Sequence, residues 1–164
     1  MKMNFGENAK VVPLLYPPQT VSSATATDII NVDTYDKVTF VVCVGTATVG
    51  GEILVKQMDS VGDTVASESN LNLIHYYENG GGASDTYTKN SADTISTSYT
   101  GCTVGNSDDS AIFLFEVEGS QLASSNNCLA LYFNSSSWNC TLVHAYAICH
   151  GGRYQQSAPP TALA

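Results

Sequence analysis

AIFLFEV (residues 111–117), CLALYF (128–133) and TLVHAYAIC (141–149) decide how this chain folds. Each apolar run has the length of a strand and is too short for a helix of several turns, and Val, Ile, Phe and Tyr suit a pleated surface. Gly, Ser and Asn clusters separate the runs. The C-terminal third therefore predicts a compact antiparallel β domain.

Upstream, YDKVTFVVCVG (35–45) is the clearest strand of the first half. Val38, Phe40, Val42 and Val44 share one face, and Thr39, Val41 and Cys43 share the other. GGEILVKQMD (50–59) reads as its hairpin partner, with Ile53, Val55 and Gln57 on one side and Leu54, Lys56 and Met58 on the other. Residues 20–32 suit an edge strand, and residues 64–68, 70–77 and 93–100 suit further strands. DSVGD (59–63) and residues 103–110 carry turn chemistry. The Gly80-Gly81-Gly82 run places an exposed loop within residues 78–89. Residues 119–125 suit one helical turn, and residues 135–138 a hairpin tip. The sum is an all-β fold, a jelly-roll-like antiparallel β-sandwich of about eight or nine strands.

Three segments are expected: an extended N-terminal arm (1–20), the sandwich (21–152) and a short C-terminal tail (153–164). Pro13, Pro17 and Pro18 fix φ, remove backbone donors and exclude a helix or a central strand from the arm. The arm carries more apolar surface than a solvated tail displays. Val11, Val12, Pro13, Leu14, Leu15, Tyr16, Pro17 and Pro18 are therefore the candidate partner-binding residues, and removing residues 1–18 is expected to leave a folded domain. The alternative is an arm folded back over its own domain. Arg153 begins a tail that ends in Pro159-Pro160 and reads as extended.

The chain has 164 residues, which suits one domain that buries roughly 70% of its unfolded surface without disulfides or metals. Charged residues are 13% of the chain, so the surface is largely neutral and polar. Six Lys plus Arg against fifteen Asp plus Glu give a net charge of −9. Phosphate backbones need clustered cations, so nucleic acid is not an expected partner. Nor is a membrane, since no apolar run approaches the roughly 20 residues that span a bilayer. The proline-broken N-terminus does not read as a secretory signal. Five cysteines, an odd number without a CxxC pair, point to reduced thiols and cytosolic assembly. Asn134-Ser135-Ser136 and Asn139-Cys140-Thr141 match the glycosylation sequon but read better as a polar hairpin.

Catalytic readings are weak, and neither an enzyme activity nor a cofactor is expected. His144 shares its parity with Leu142, Tyr146 and Ile148 and reads as a hydrogen-bonded core or interface residue. Cys149 and His150 are strand neighbours and point to opposite faces, which defeats a nucleophile pair. No GxSxG elbow is present. Asp59, Asp63, Asp108 and Asp109 read as turn formers and not as metal ligands, since the EF-hand pattern is missing. His75 carries no motif. Glu116 and Glu118 read as a solvated strand face. Tyr76, Tyr77, Tyr87, Tyr99 and Trp138 offer the alternative of a glycan-stacking platform.

Two stretches, VDTYDKVTFVVCVGTATVGGEILVKQMDSVGDT and FEVEGSQLASSNNCLALYFNSSSWNCTLVHAYAICHGGRYQ, together resemble a family of small proteins of tailed bacteriophages. The resemblance rests on Tyr35, Asp36, Val38, Thr39 and Phe40, then on Val55, Gln57 and Asp59, and finally on Arg153 and Tyr154, and covers roughly residues 30 to 156. It implies a virion protein of the head decoration or capsid cement type, assembled in the host cytoplasm and seated on the outer capsid surface. The implied partners are the major capsid protein and further copies of the chain, with a trimer favoured. A tail or neck component and a carbohydrate-binding module are the alternatives. The five cysteines and the triple glycine depart from the family pattern.

Overall fold

The computed structural model describes residues 9–49, 51–79, 86–91, 101–104, 110–134 and 139–151. Among these, thirteen strands form two antiparallel sheets that face one another. The seven-stranded sheet runs in the order β1 (Ala9–Val21), β13 (Asn139–His150), β4 (Lys37–Val44), β11 (Ala111–Glu118), β8 (His75–Asn79) and β9 (Thr88–Ser91), with β5 (Ala47–Val49) beside β13. The six-stranded sheet runs β10 (Gly101–Val104), β6 (Gly51–Met58), β12 (Cys128–Asn134) and β2 (Thr25–Ala26). Two short segments complete it, β3 (Ile30–Asn31) on β12 and β7 (Ser69–Asn70) on β6. Nine strands have four residues or more, so the expected sandwich of about nine strands is present, and the others are brief additions at strand flanks.

Alternation explains why these segments pair as they do. In β4 and β11 every second side chain is buried, and the register sets Phe40 opposite Phe115 and Val42 opposite Phe113. Those four residues are fully buried between the sheets together with Phe133 and Leu131 of β12. Burying each such side chain contributes about 1.5–3 kcal/mol, which fixes both the pairing and the face.

Strand β6 is different, since Ile53, Leu54, Val55, Lys56 and Met58 are all buried. Its second face joins Cys128 and Ala130 in a smaller cluster roofed by Ile29 and by Val65, which opens a 3₁₀ turn at Val65–Ser67. Lys56 reaches out of this cluster to donate to the Glu68 carbonyl at 2.7 Å, with its ammonium 5.5 Å from the Tyr132 ring centroid.

The structure corrects several expectations. Residues 35–45 and 50–59 do not form a hairpin: β4 and β6 lie in different sheets, and β5 on β13 carries the chain across. A strand that is apolar on both faces needs cover on both, which β6 finds in the six-stranded sheet. At Gly45, where β4 ends, a Cβ would stand 2.6 Å from the Thr141 carbonyl oxygen, so only glycine lets the two backbones touch. Residues 64–68 contain a 3₁₀ turn in place of a strand, and the strand expected over 70–77 begins at His75. Residues 20–32 do edge the six-stranded sheet, in two pieces. Between them Thr27 bonds Leu131 through both its amide and its hydroxyl, each at 3.0 Å. The expected turn over residues 119–125 is a 3₁₀ turn at Gly119–Gln121. The strand at 93–100, the hairpin tip at 135–138, the triple glycine and the tail 153–164 lie outside the described residues.

The largest correction concerns the arm. Residues 9–20 are not a separate segment but most of β1, bonded along β13 from Ala9 opposite His150 to Val21 opposite Cys140. The prolines are accommodated because β1 is an edge strand whose register shifts after Pro13 and again after Leu15. The exclusion of a central strand stands.

Candidate functional site

Strand β1 splits the eight expected partner-binding residues between its two sides. Val12, Leu14 and Leu15 are 4%, 3% and 5% exposed and belong to the main core, so they are not free to anchor a partner. Val11 and Tyr16 are 48% and 68% exposed, Pro13 and Pro17 are exposed, and Pro18 is half-buried. Val11, Pro13 and Tyr16, but not Pro17 or Pro18, border an open groove of about 470 Å³ along the seam between the sheets, closed on its far side by Ala26 and Asp28. Burial raises the Asp28 carboxyl above its ordinary value. The backbone amide of Asp28 donates to the Leu14 carbonyl at 3.4 Å, which ties β1 to the opposite sheet.

A second surface is the outer face of the seven-stranded sheet. Cross-strand pairing aligns Tyr77, Leu114, Val41, Tyr146 and Pro13 in one row across five strands. Ile112 and Cys43 lie to one side of this row, and Ile148 to the other. All three histidines of the chain stand on the same face: His75 on β8, and His144 and His150 on β13.

Polar groups line one border of the apolar row. Glu116 accepts from the Lys37 ammonium at 2.6 Å through Oε1 and meets His75 Nε2 at 3.2 Å through Oε2. The Lys37 hydrogen bond, foremost, holds the Glu116 carboxyl below its ordinary value, with His75 assisting and burial opposing. His150 Nε2 lies 3.1 Å from the Thr39 hydroxyl, and burial followed by the Lys37 charge lowers its pKa. The Tyr146 hydroxyl lies 3.4 Å from His144 Nδ1.

Parity already gave Glu116 a solvated face and kept Cys149 and His150 apart, and both readings hold. It missed the joining of Lys37, Glu116 and His75. These residues come from β4, β11 and β8, and nothing in a linear pattern says that these three strands are neighbours. The nearest signal was the half-polar parity of each strand at one end.

The remaining candidates divide plainly. Tyr76 is a core residue whose ring centroid is 5.9 Å from that of Phe115, whereas Tyr77 faces the outside. The glycan platform therefore loses its adjacent pair, and Tyr99 and Trp138 lie outside the described residues. Asp63 accepts from the Ser60 amide at 3.0 Å, the turn role expected of it. Asp108 and Asp109 lie outside the described residues. Among the described residues no group of three or more His, Cys, Asp or Glu could hold a metal ion. Burial, followed for Cys128 by nearby aspartates, pushes the thiols of Cys128 and Cys149 up to about 11.

No family model matches the sequence, and no curated protein matches it. Among solved structures, the SPBc2 prophage-derived protein YomS is similar, with 12% sequence identity and a TM-score of 0.47 over 88% of this chain and 94% of that one.

Proposed function

We propose that this chain is a structural virion protein, a capsid decoration or cement protein that binds the outer surface of a phage head and stabilises its lattice of major capsid protein. The sequence motifs over residues 30–156 supply the phage context. The observation that carries the reading is the outward flank of β1, where Val11, Pro13 and Tyr16 border the groove of about 470 Å³ on a strand whose inward side is locked into the core. Such a ledge is rigid before it binds. Little conformational entropy is lost when a partner covers it.

The mechanism differs from the exchange of a loose arm. A protein that binds assembled lattice better than free subunits shifts the equilibrium toward intact shell by mass action. The ledge offers apolar contact at a fixed position, and three prolines deprive β1 of donors that strand addition would use. Side-chain docking is therefore favoured over β-augmentation. The net charge of −9 suits the exterior of a DNA-filled particle, where acidic groups stay away from phosphate.

Particles of the parent phage grown without this protein provide the test. Purified chain should saturate them in proportion to their capsid subunits and raise the temperature at which they release DNA. The Val11→Ser/Tyr16→Ser double variant should fold normally and bind poorly. A handful of copies per particle would instead assign the chain to the tail or neck, and no binding would remove the virion reading.

A further inference from the structure

Lys56 holds a place in β6 where its neighbours on the same side of the strand are apolar. Leu54 and Met58 flank it and are buried, and Lys56 itself is only 6% exposed. A lysine is almost never buried so deeply without a partner for its charge. Its partners here are neutral: the Glu68 carbonyl at 2.7 Å and the Tyr132 ring, whose centroid is 5.5 Å from the ammonium. Burial lowers the Lys56 pKa, with the Glu68 charge opposing, so a larger share of this amine is neutral and nucleophilic than of an ordinary lysine.

Asn70 lies opposite this amine. Strand β7 pairs with β6 in a register that sets Asn70 against Lys56, and directly opposed residues of an antiparallel pair point to the same side of the sheet. Their Cβ atoms then stand about 4.5–5.5 Å apart, well within the reach of a four-carbon stem. The Asn70 Oδ1 is buried and has no hydrogen-bond partner among the described residues, so no hydrogen bond to that oxygen holds the carboxamide back. Buried amide oxygens are rarely left so without a reason. Glu68 precedes Asn70 by two residues in extended backbone and shares its side of the strand. A buried amine, an orphaned carboxamide and a carboxylate are thus gathered on one strand pair.

We propose that Lys56 and Asn70 become joined by an isopeptide bond that forms within the folded chain. The Glu68 carboxylate takes a proton from the ammonium, and the freed Nζ lone pair attacks Asn70 Cγ while the carbonyl electrons move to Oδ1. As the carbonyl re-forms, the Cγ–Nδ2 bond breaks and Nδ2 leaves as ammonia with the proton that Glu68 holds. The surplus proton on Nζ passes back through Glu68 to the ammonia. One C–N bond is made and one is broken, the products are an amide and ammonium, and no oxidant or reductant is needed. The bond ties β7, and the 3₁₀ turn that carries Val65, to β6 and so fastens the roof of the smaller core cluster. The inference does not depend on the virion reading.

Intact-mass analysis of the folded full chain tests this directly. The mass should fall short of the sequence by one ammonia, and trypsin should spare the bond after Lys56. Further digestion after Asp59, Asp63 or Glu68 should leave two peptides that stay joined. Lys56→Arg and Asn70→Ala should each restore the full mass, and Glu68→Gln should slow the loss about a hundredfold. Circular dichroism checks that each variant is folded, and Asn70→Ala carries the test should Lys56→Arg unfold. A folded chain that keeps its full mass after prolonged incubation overturns the proposal. An ammonia loss that persists in Asn70→Ala, or that maps to another asparagine without joined peptides, also overturns it.

Discussion

The Glu116 carboxylate accepts a hydrogen bond from the Lys37 ammonium at 2.6 Å, diagonally across the β4 and β11 ladder. A carboxyl whose folded pKa is depressed contributes stability that is present above its unfolded value near pH 4.3 and is lost as pH falls through the folded value. Both partners are about a third exposed, at 35% and 28%, so solvent screening keeps the contribution to about 0.5–1 kcal/mol. Glu116→Gln is therefore expected to lower the urea midpoint at neutral pH and to lose that effect once the pH is low enough to protonate Glu116 in the folded state. Equal losses at both pH values would mean that the charge is not what the pair supplies.

Truncation separates a strand from an arm. Removing residues 1–18 takes Val12, Leu14 and Leu15 out of the core, and the remaining chain is expected to lose cooperative unfolding. Leu14→Ala alone should cost about 2–4 kcal/mol, whereas Val11→Ala, on the outward side, should stay within about 0.5 kcal/mol. Denaturant titration of the three variants reads the difference. A cooperative, native-like transition in the truncated chain would restore the independent arm.

Leu142 sits in β13 with φ +52° and is 62% exposed. A β-branched or long side chain in the left-handed region costs roughly 1–2 kcal/mol, which Asn largely avoids, and little apolar contact is lost with so exposed a leucine. Leu142→Asn is expected to raise the melting temperature by a few degrees. A decrease would show that the leucine makes a contact outside the described residues.

Thiol chemistry reports on the sandwich as a whole. With pKa values of about 11, Cys128 and Cys149 hold roughly two orders of magnitude less thiolate near pH 8 than an ordinary cysteine. Iodoacetamide on the native protein should leave both unmodified and reach them only after denaturation, as peptide mass analysis would read. Rapid labelling of Cys149 in the native state would place β13 outside the core.

What the sequence determined is local. Alternation in 111–117 and 35–45 set strands, faces and the core phenylalanines, because the two-residue period of a strand is written in adjacent positions. The same logic kept Cys149 from His150 and made Asp63 a turn residue. The prolines were right about extended geometry and about the exclusion of a central strand, but not about a separate arm.

Partnership between distant strands was decided by tertiary structure. The arm became β1 because its inward side chains match the groove beside β13, and β6 left its neighbour in sequence because both its faces needed cover. Lys37, Glu116 and His75 met for the same reason. Pairing energy comes from burial summed over whole faces, and that sum depends on which segments are brought together, a quantity no window along the chain contains.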